Sequence, residues 1–271
     1  ASDVYKRQVF VHAENGEILN FLRSECVKKG QLTPHYHYVS RPPFTEAEAV
    51  RRAIYLAGQT DTPLYIAHMT CREAIAELQK AKGTGQRVSG ETCTHYLTTT
   101  KEVLDNPDFN EAAKFVCSPA LRDQEDCEAL WQALAGGLLT AVSSDHCGID
   151  VAELKQAGRD DFTQIPNGSP GAGDRLHMVW TEGVCTGKLS RQKFVDVIAT
   201  QPAKINGIYP RKGTLAVGSD ADIVIFDPSY EGVIRLADNP NGVDYNLYEG
   251  HRQSGRVETC LLYTSDAADD R

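Results

Sequence analysis

His12, His68 and Asp145 each stand where an apolar, strand-like run breaks into polar sequence: VFVHAEN (residues 9–15), PLYIAHMT (63–70) and TAVSSDHCG (140–148). Imidazole and carboxylate are the side chains that hold a catalytic divalent metal, and in parallel α/β proteins the C-terminal rim of the sheet is where such chemistry sits. Each residue alone has a simpler explanation. A histidine ending a strand is often only hydrogen-bonded and half buried, and an aspartate after Ser143-Ser144 commonly caps a turn or helix. The joint placement of all three at strand ends favours a metal centre.

Other residues are weighed the same way. His95 in ETCTHYL lies just beyond a strand and reads as a satisfied core histidine or a support to the ligands. His35 and His37 flank Tyr36 in HYHY and imitate a metal-binding H-x-H, but Pro34, Pro42 and Pro43 favour a surface loop. His146 and Cys147 are better placed to support Asp145 than to ligate. Neither a nucleophile elbow, a P-loop nor a dinucleotide fingerprint occurs in the sequence.

The elements that would carry these residues alternate strand and helix from residue 9 to about 200, the pattern of β-α units and a parallel sheet. Ile18, Leu19, Leu22 and Cys26 predict one helix face, with Gly30 as its stop. Thr45 with Glu48 and Thr70 with Glu73 read as capping boxes opening the next two helices. Further strands are expected at 86–93, 114–118 and 140–145, and Asp123 is expected to cap a helix ended by Gly136-Gly137. Helices are also expected near 174–186 and 191–199. The pattern then changes: 214–228 reads as strand, turn and strand, and 245–258 as short strands. The separations of the three candidate ligands fit consecutive or near-consecutive strands with insertions, at about 31 residues per β-α unit of a barrel.

The 271 residues carry a net charge of −9 and no run of basic residues longer than pairs such as Arg51-Arg52, so a nucleic-acid partner is not expected. No stretch reaches the roughly 18 apolar residues of a membrane helix. The eight cysteines are scattered without a C-x-x-C pair and read as reduced, mostly buried thiols. The opening ASDVYKRQ and closing CLLYTSDAADDR match no neighbouring period and are expected to be adaptor-like, non-native ends.

Together VHAENGEIL, IAHMTCREAIAEL, GETCTHYL, KFVCSPALR, AVSSDHCGI, IPNGSPG and QPAKINGIYPRKGTLAVGSDADIVIFDP resemble the dihydropyrimidinase or D-hydantoinase family, cyclic amidohydrolases of the amidohydrolase superfamily. The resemblance runs from Val9 to Val257; its last motif is shared by many amidohydrolases and is the least specific.

The resemblance implies an α/β fold: about the C-terminal half of a (β/α)8 TIM-like barrel over residues 9–209, then part of a small β-sandwich over 210–259, between the foreign head 1–8 and tail 260–271. It implies two zinc ions per subunit. His12 and His68 would ligate one; Asp145 would ligate the other and shuttle a proton. Ser118 and Asn167 would hold the amide edge of the ring through their main chain. The bridging carbamylated lysine, an H-x-H pair and an oxyanion tyrosine would belong to upstream segments, so the chain alone is expected to be inactive, aggregation-prone and unable to hold both ions. The implied reaction opens dihydropyrimidine or hydantoin rings, in a cytoplasmic homotetramer. Allantoinase or dihydroorotase activity is the nearer alternative. A metal-free oligomeric scaffold, like the collapsin-response-mediator proteins, is the more distant one.

Overall fold

The computed structural model describes residues 8–238 and 241–262. Four short strands, β1 (Val9–Val11), β2 (Leu64–Ile66), β3 (Val88–Cys93) and β4 (Ala141–Ser143), form one parallel sheet in the order β1-β2-β3-β4. The register aligns Val11 with Ile66 and Ile66 with Gly90, and three residues further along β3 it aligns Cys93 with Ser143. Sequence order and spatial order coincide. Because every strand points the same way, all four C-terminal ends open on one rim. The α/β class with a parallel sheet is therefore present as expected.

Helices fill the connections. Between β1 and β2 run α1 (Gly16–Lys28), a short α2 (His35–Val39) and α3 (Pro43–Gln59). The Asn15 side chain caps α1 by accepting from the Ile18 N–H, and Leu19 and Cys26 are its buried residues. Val50, Ile54 and Ala57 of α3 face the core as the stripe predicted. After β2 comes α4 (Arg72–Gly83), which packs on α3 and buries Ile75 and Leu78. Then α5 (Thr94–Thr98) follows β3 directly and α6 (Phe109–Ala113) precedes α7 (Gln124–Ala135). Asp123 caps α7 through the Asp126 N–H, and Gly137 beyond it adopts φ 75°. After β4, α8 (Arg175–Val179) and α9 (Arg191–Val195) each continue into a π-helical turn, the second leading into α10 (Gln201–Ile205). Among the described residues no helix is long and apolar enough to cross a membrane.

Several expectations need correction. Neither capping box forms. Pro43 opens α3 two residues before Thr45, because a proline at the first turn gives up only an N–H that had no helical partner. Thr70 lies outside α4 and is engaged from elsewhere: Glu46 accepts its N–H at 2.8 Å, and the Arg122 Nε donates to its hydroxyl at 2.8 Å. Residues 114–118 are not a strand: the Lys114, Val116 and Cys117 carbonyls are engaged by the Ser169, Lys155 and His37 side chains, and among the described residues no strand ladder pairs with the segment. HYHY is helical rather than a surface loop, with His37 buried.

The distal β region also differs in its bounds. Residues 214–222 form turns, and one long strand, β5 (Ile223–Val233), pairs antiparallel with β6 (Arg252–Leu261) across two register shifts. Within β6, Cys260 pairs with Val224 and Leu261 with Ile223, so ordered pairing continues two residues past the expected boundary at 259. The rest of the suspect tail, from 263, and the head up to residue 7 lie outside the described residues.

The core between sheet and helices is continuous and includes Ile66, Met69, Leu78, Leu134 and Val142. Gly90 has a packing reason: a Cβ there would meet the Met69 Sδ at 2.6 Å and a Leu78 methyl at 3.2 Å. Met69 is fully buried, which contributes on the order of 1.5–3 kcal/mol. That burial fixes the backbone immediately after His68.

Candidate metal centre

The rim is built by backbone that overshoots the strands. Beyond β2, the Ala67 N–H donates to the Val11 carbonyl at 3.0 Å and the Met69 N–H to the Glu91 carbonyl at 2.8 Å, so His68 is held between both neighbouring strands. His68 adopts φ 35° and Asp145 φ 44°. Left-handed backbone is uncommon for residues with a Cβ and gathers where surrounding structure imposes it for function. Among the described residues Asp61 is the only other non-glycine residue in that region. Two of the three candidate ligands thus occupy strained corners at strand ends.

His12 and His68 meet. The His12 Nδ1 lies 3.0 Å from the His68 Nε2, and the rings cross at 69° with centroids 4.7 Å apart. On the far side, the His12 Nε2 lies 3.0 Å from a Glu14 carboxylate oxygen that also accepts from the Arg41 Nη1 at 2.8 Å. Glu14 is buried, with 2% of its side chain exposed. Burial raises the Glu14 pKa, but His12 and Arg41 outweigh it and hold the carboxyl below its usual value. An ionised Glu14 takes the Nε2–H of His12, which fixes the tautomer and aims the Nδ1 lone pair at His68.

That arrangement fits one metal ion. Two nitrogens on a tetrahedral zinc, at about 2.0–2.1 Å each, stand about 3.3 Å apart, close to the observed 3.0 Å. Burial, and then the charge of His12, lower the His68 pKa, while Asp145 opposes them; a neutral imidazole is the form that ligates. The buried His68 Nδ1 has no hydrogen-bond partner. Asp145 is exposed on the same rim and near enough for its charge to act on His68, yet among the described residues no three His, Cys, Asp or Glu side chains gather as a metal-binding group. Two of the three predicted ligands are therefore in direct contact, and the third faces the same opening without joining them.

Ser118 and Asn167 are brought to Asp145 by backbone pairing. His146 bridges Ser169 in parallel fashion, with the Cys147 N–H on the Ser169 carbonyl at 3.0 Å, and the Gly168 N–H donates to the Val116 carbonyl at 3.0 Å. Gly168 has φ 129°, and a Cβ there would sit 2.5 Å from the Cys147 Cβ and Sγ, so this close approach requires glycine. The loops bearing Asp145, Asn167 and Ser118 are thereby tied into one unit. His95, fully buried in α5 beside the same rim, leaves its Nε2 without a partner, and burial pushes its pKa down to about 3. Sequence reasoning missed the Glu14–Arg41 support. The acidic residue two positions after His12 was its available signal.

The amidohydrolase family model matches residues 1–255, most of the sequence. The chain belongs to the amidohydrolase family. Among curated relatives, this amidohydrolase is 50% identical to a D-hydantoinase of Ralstonia pickettii over 94% of the chain and 55% of the relative. It is 40% identical to a dihydropyrimidinase of Arabidopsis thaliana over 93% of the chain and 47% of that protein. A dihydropyrimidinase crystal structure from Brevibacillus agri superposes with a TM-score of 0.93 at 44% identity, covering 95% of this chain and 56% of that one. The amidohydrolase chain spans about half the length of these relatives.

The Glu14 contact gives a direct test. Glu14→Gln removes the charge that orients His12 and is expected to weaken zinc binding by about 10–100-fold, read by competition with a chromophoric chelator. Unchanged affinity would separate Glu14 from the metal centre.

Proposed function

We propose that the protein carrying this chain is a zinc-dependent hydrolase that opens a cyclic amide, a 5,6-dihydropyrimidine or a hydantoin, to an N-carbamoyl amino acid. The observation that carries the reading is the pair of imidazole nitrogens facing each other across 3.0 Å at the C-terminal rim of a parallel sheet. The names of the relatives, D-hydantoinase and dihydropyrimidinase, support the substrate class. In this reading β1–β4 are part of the wall of a (β/α)8 barrel, and β5 with β6 is part of a small β-sandwich. Two zinc ions would be used, and the family resemblance implies that a carbamylated lysine from an upstream segment would help to hold them. The cytoplasmic homotetramer rests on the family resemblance.

His12 and His68 would hold one ion and Asp145 the other. Zinc held there would supply a water of near-neutral pKa and a Lewis acid for the ring carbonyl. The residues of this chain do the rest. Asp145 accepts the proton of the attacking water on a carboxylate oxygen and delivers it to the ring nitrogen as the C–N bond breaks, so one group serves as base and then acid. Ser118 and Asn167 hold the amide edge through their main chain, which sets the carbonyl at the point of attack. Glu14 keeps His12 in the ligating tautomer.

The test is turnover of dihydrouracil, hydantoin, allantoin and dihydroorotate by the full-length protein, with zinc analysis of the same sample. Ring opening of the first two with about two zinc per subunit is expected. Preference for allantoin or dihydroorotate would reassign the ring. Absence of both zinc and turnover would favour a scaffold and overturn the proposal.

A further inference from the structure

The segment that carries Ser118 belongs to no strand, yet the carbonyls of Lys114, Val116, Cys117 and Pro119 are all occupied. The Lys114 carbonyl accepts from the Ser169 hydroxyl at 2.7 Å. The Val116 carbonyl accepts twice, from the Gly168 N–H at 3.0 Å and from the Lys155 Nζ at 3.2 Å. The Cys117 carbonyl lies 2.7 Å from the His37 Nε2, and the Pro119 carbonyl accepts from the Tyr96 hydroxyl at 2.7 Å. Ser118's own hydroxyl oxygen is buried without a partner, so its orientation is set by its neighbours and not by its side chain.

Two of these donors are unusual. Lys155 is 0% exposed, and among the described residues no carboxylate pairs with its ammonium; the Cys117 and Cys147 thiols are the groups that favour its charge. A buried ammonium without a counter-ion is strongly unfavourable. Burial accordingly pulls its pKa down to about 8. His37 is 3% exposed, and its ring Nε2 donates to the Cys117 carbonyl. Neither residue is needed to fill an apolar core, since a methionine or phenylalanine of similar volume would do so without desolvating a polar group. Both place a donor on adjacent carbonyls immediately before Ser118, and Lys155 shares its acceptor with the residue after Asn167.

We propose that Lys155 and His37 are positioning residues that clamp the backbone of residues 116–118 against the 167–169 turn, so that Ser118 and Asn167 present their main chains to one ring. The inference rests on the reading of Ser118 and Asn167 as the positions that hold the substrate. Neither side chain touches the reacting atoms. The clamp spans three parts of the chain, α2, the 155 turn and the 168 turn, which explains why a segment with strand-like sequence holds an irregular path.

The test uses the full-length, zinc-loaded protein. Lys155→Met and His37→Phe each remove one donor and are expected to raise KM for the ring substrate about tenfold, with kcat changed much less and zinc content unchanged. His37→Gln keeps an N–H that can reach the same carbonyl and is expected to recover most of the lost KM. Amide hydrogen exchange supplies a readout independent of turnover: protection should fall in 114–119 and 166–169 and stay at the wild-type level elsewhere. Unchanged KM in an active enzyme overturns the proposal, as does exchange that accelerates throughout the molecule. If the wild-type protein turned over no cyclic amide, the hydrolase reading would fall, and wild-type protection of 166–169 in Lys155→Met would then overturn the clamp separately.

Discussion

Asp145→Asn in the full-length protein is expected to lower kcat by about 10²–10⁴-fold, with the urea unfolding midpoint unchanged. Asparagine has nearly the shape of aspartate and tolerates the left-handed backbone that Asp145 adopts at φ 44°. The substitution therefore spares the turn and removes the carboxylate to which the proposed mechanism assigns proton transfer from water to the leaving nitrogen. Asp145→Ala should lose as much activity, with an added stability loss of about 1 kcal/mol because a Cβ without a compensating amide is strained there. Zinc content measured beside kcat separates loss of proton transfer from loss of a ligand. A residual rate within tenfold of wild type in zinc-replete Asp145→Asn would remove Asp145 from the mechanism.

The second large effect is on stability in acid. His37 and His95 are both fully buried, and burial pushes each imidazole from 6.5 down to about 3. Between those values the unfolded chain binds a proton that the folded chain refuses, so stability falls as pH drops through 6.5 towards 3 and is fully present above 6.5. Each histidine is expected to withdraw about 2–3 kcal/mol between pH 7 and 4.5. Urea titrations of the metal-free protein at a series of pH values would measure the loss. His37→Gln should flatten the slope by about one proton over this window. An identical slope in wild type and His37→Gln would show that His37 is already protonated in the fold.

What could be read from the sequence divides along a physical line. The rim positions of His12 and His68 were legible because the signal is local: an apolar run ends, and a polar side chain follows where parallel strands share a rim. The helix stripes of Val50, Ile54 and Ala57, and the Asp123 cap, were legible for the same reason, each depending on neighbours within a few positions. The failures depend on partners far along the chain. Thr70 looks like a helix cap, but Glu46 and Arg122 claim it across 24 and 52 residues. KFVCS has a strand's composition, yet its carbonyls belong to His37, Lys155 and Ser169. HYHY looks like a polar loop because nothing nearby announces that His37 will be buried against Cys117, 80 residues away. Asp145 lies between these cases: its rim position was legible, while its separation from the histidine pair depends on how the 143–147 turn is pulled towards Ser169.

The left-handed corners at His68 and Asp145 set a limit on improving this molecule. Glycine would relax both torsions, so a search rewarding heat tolerance alone would drift toward it at these two sites and erase the imidazole and the carboxylate on which the proposed chemistry rests. Robustness and chemistry pull in opposite directions at two residues, and any redesign has to hold those two fixed while seeking its gains elsewhere.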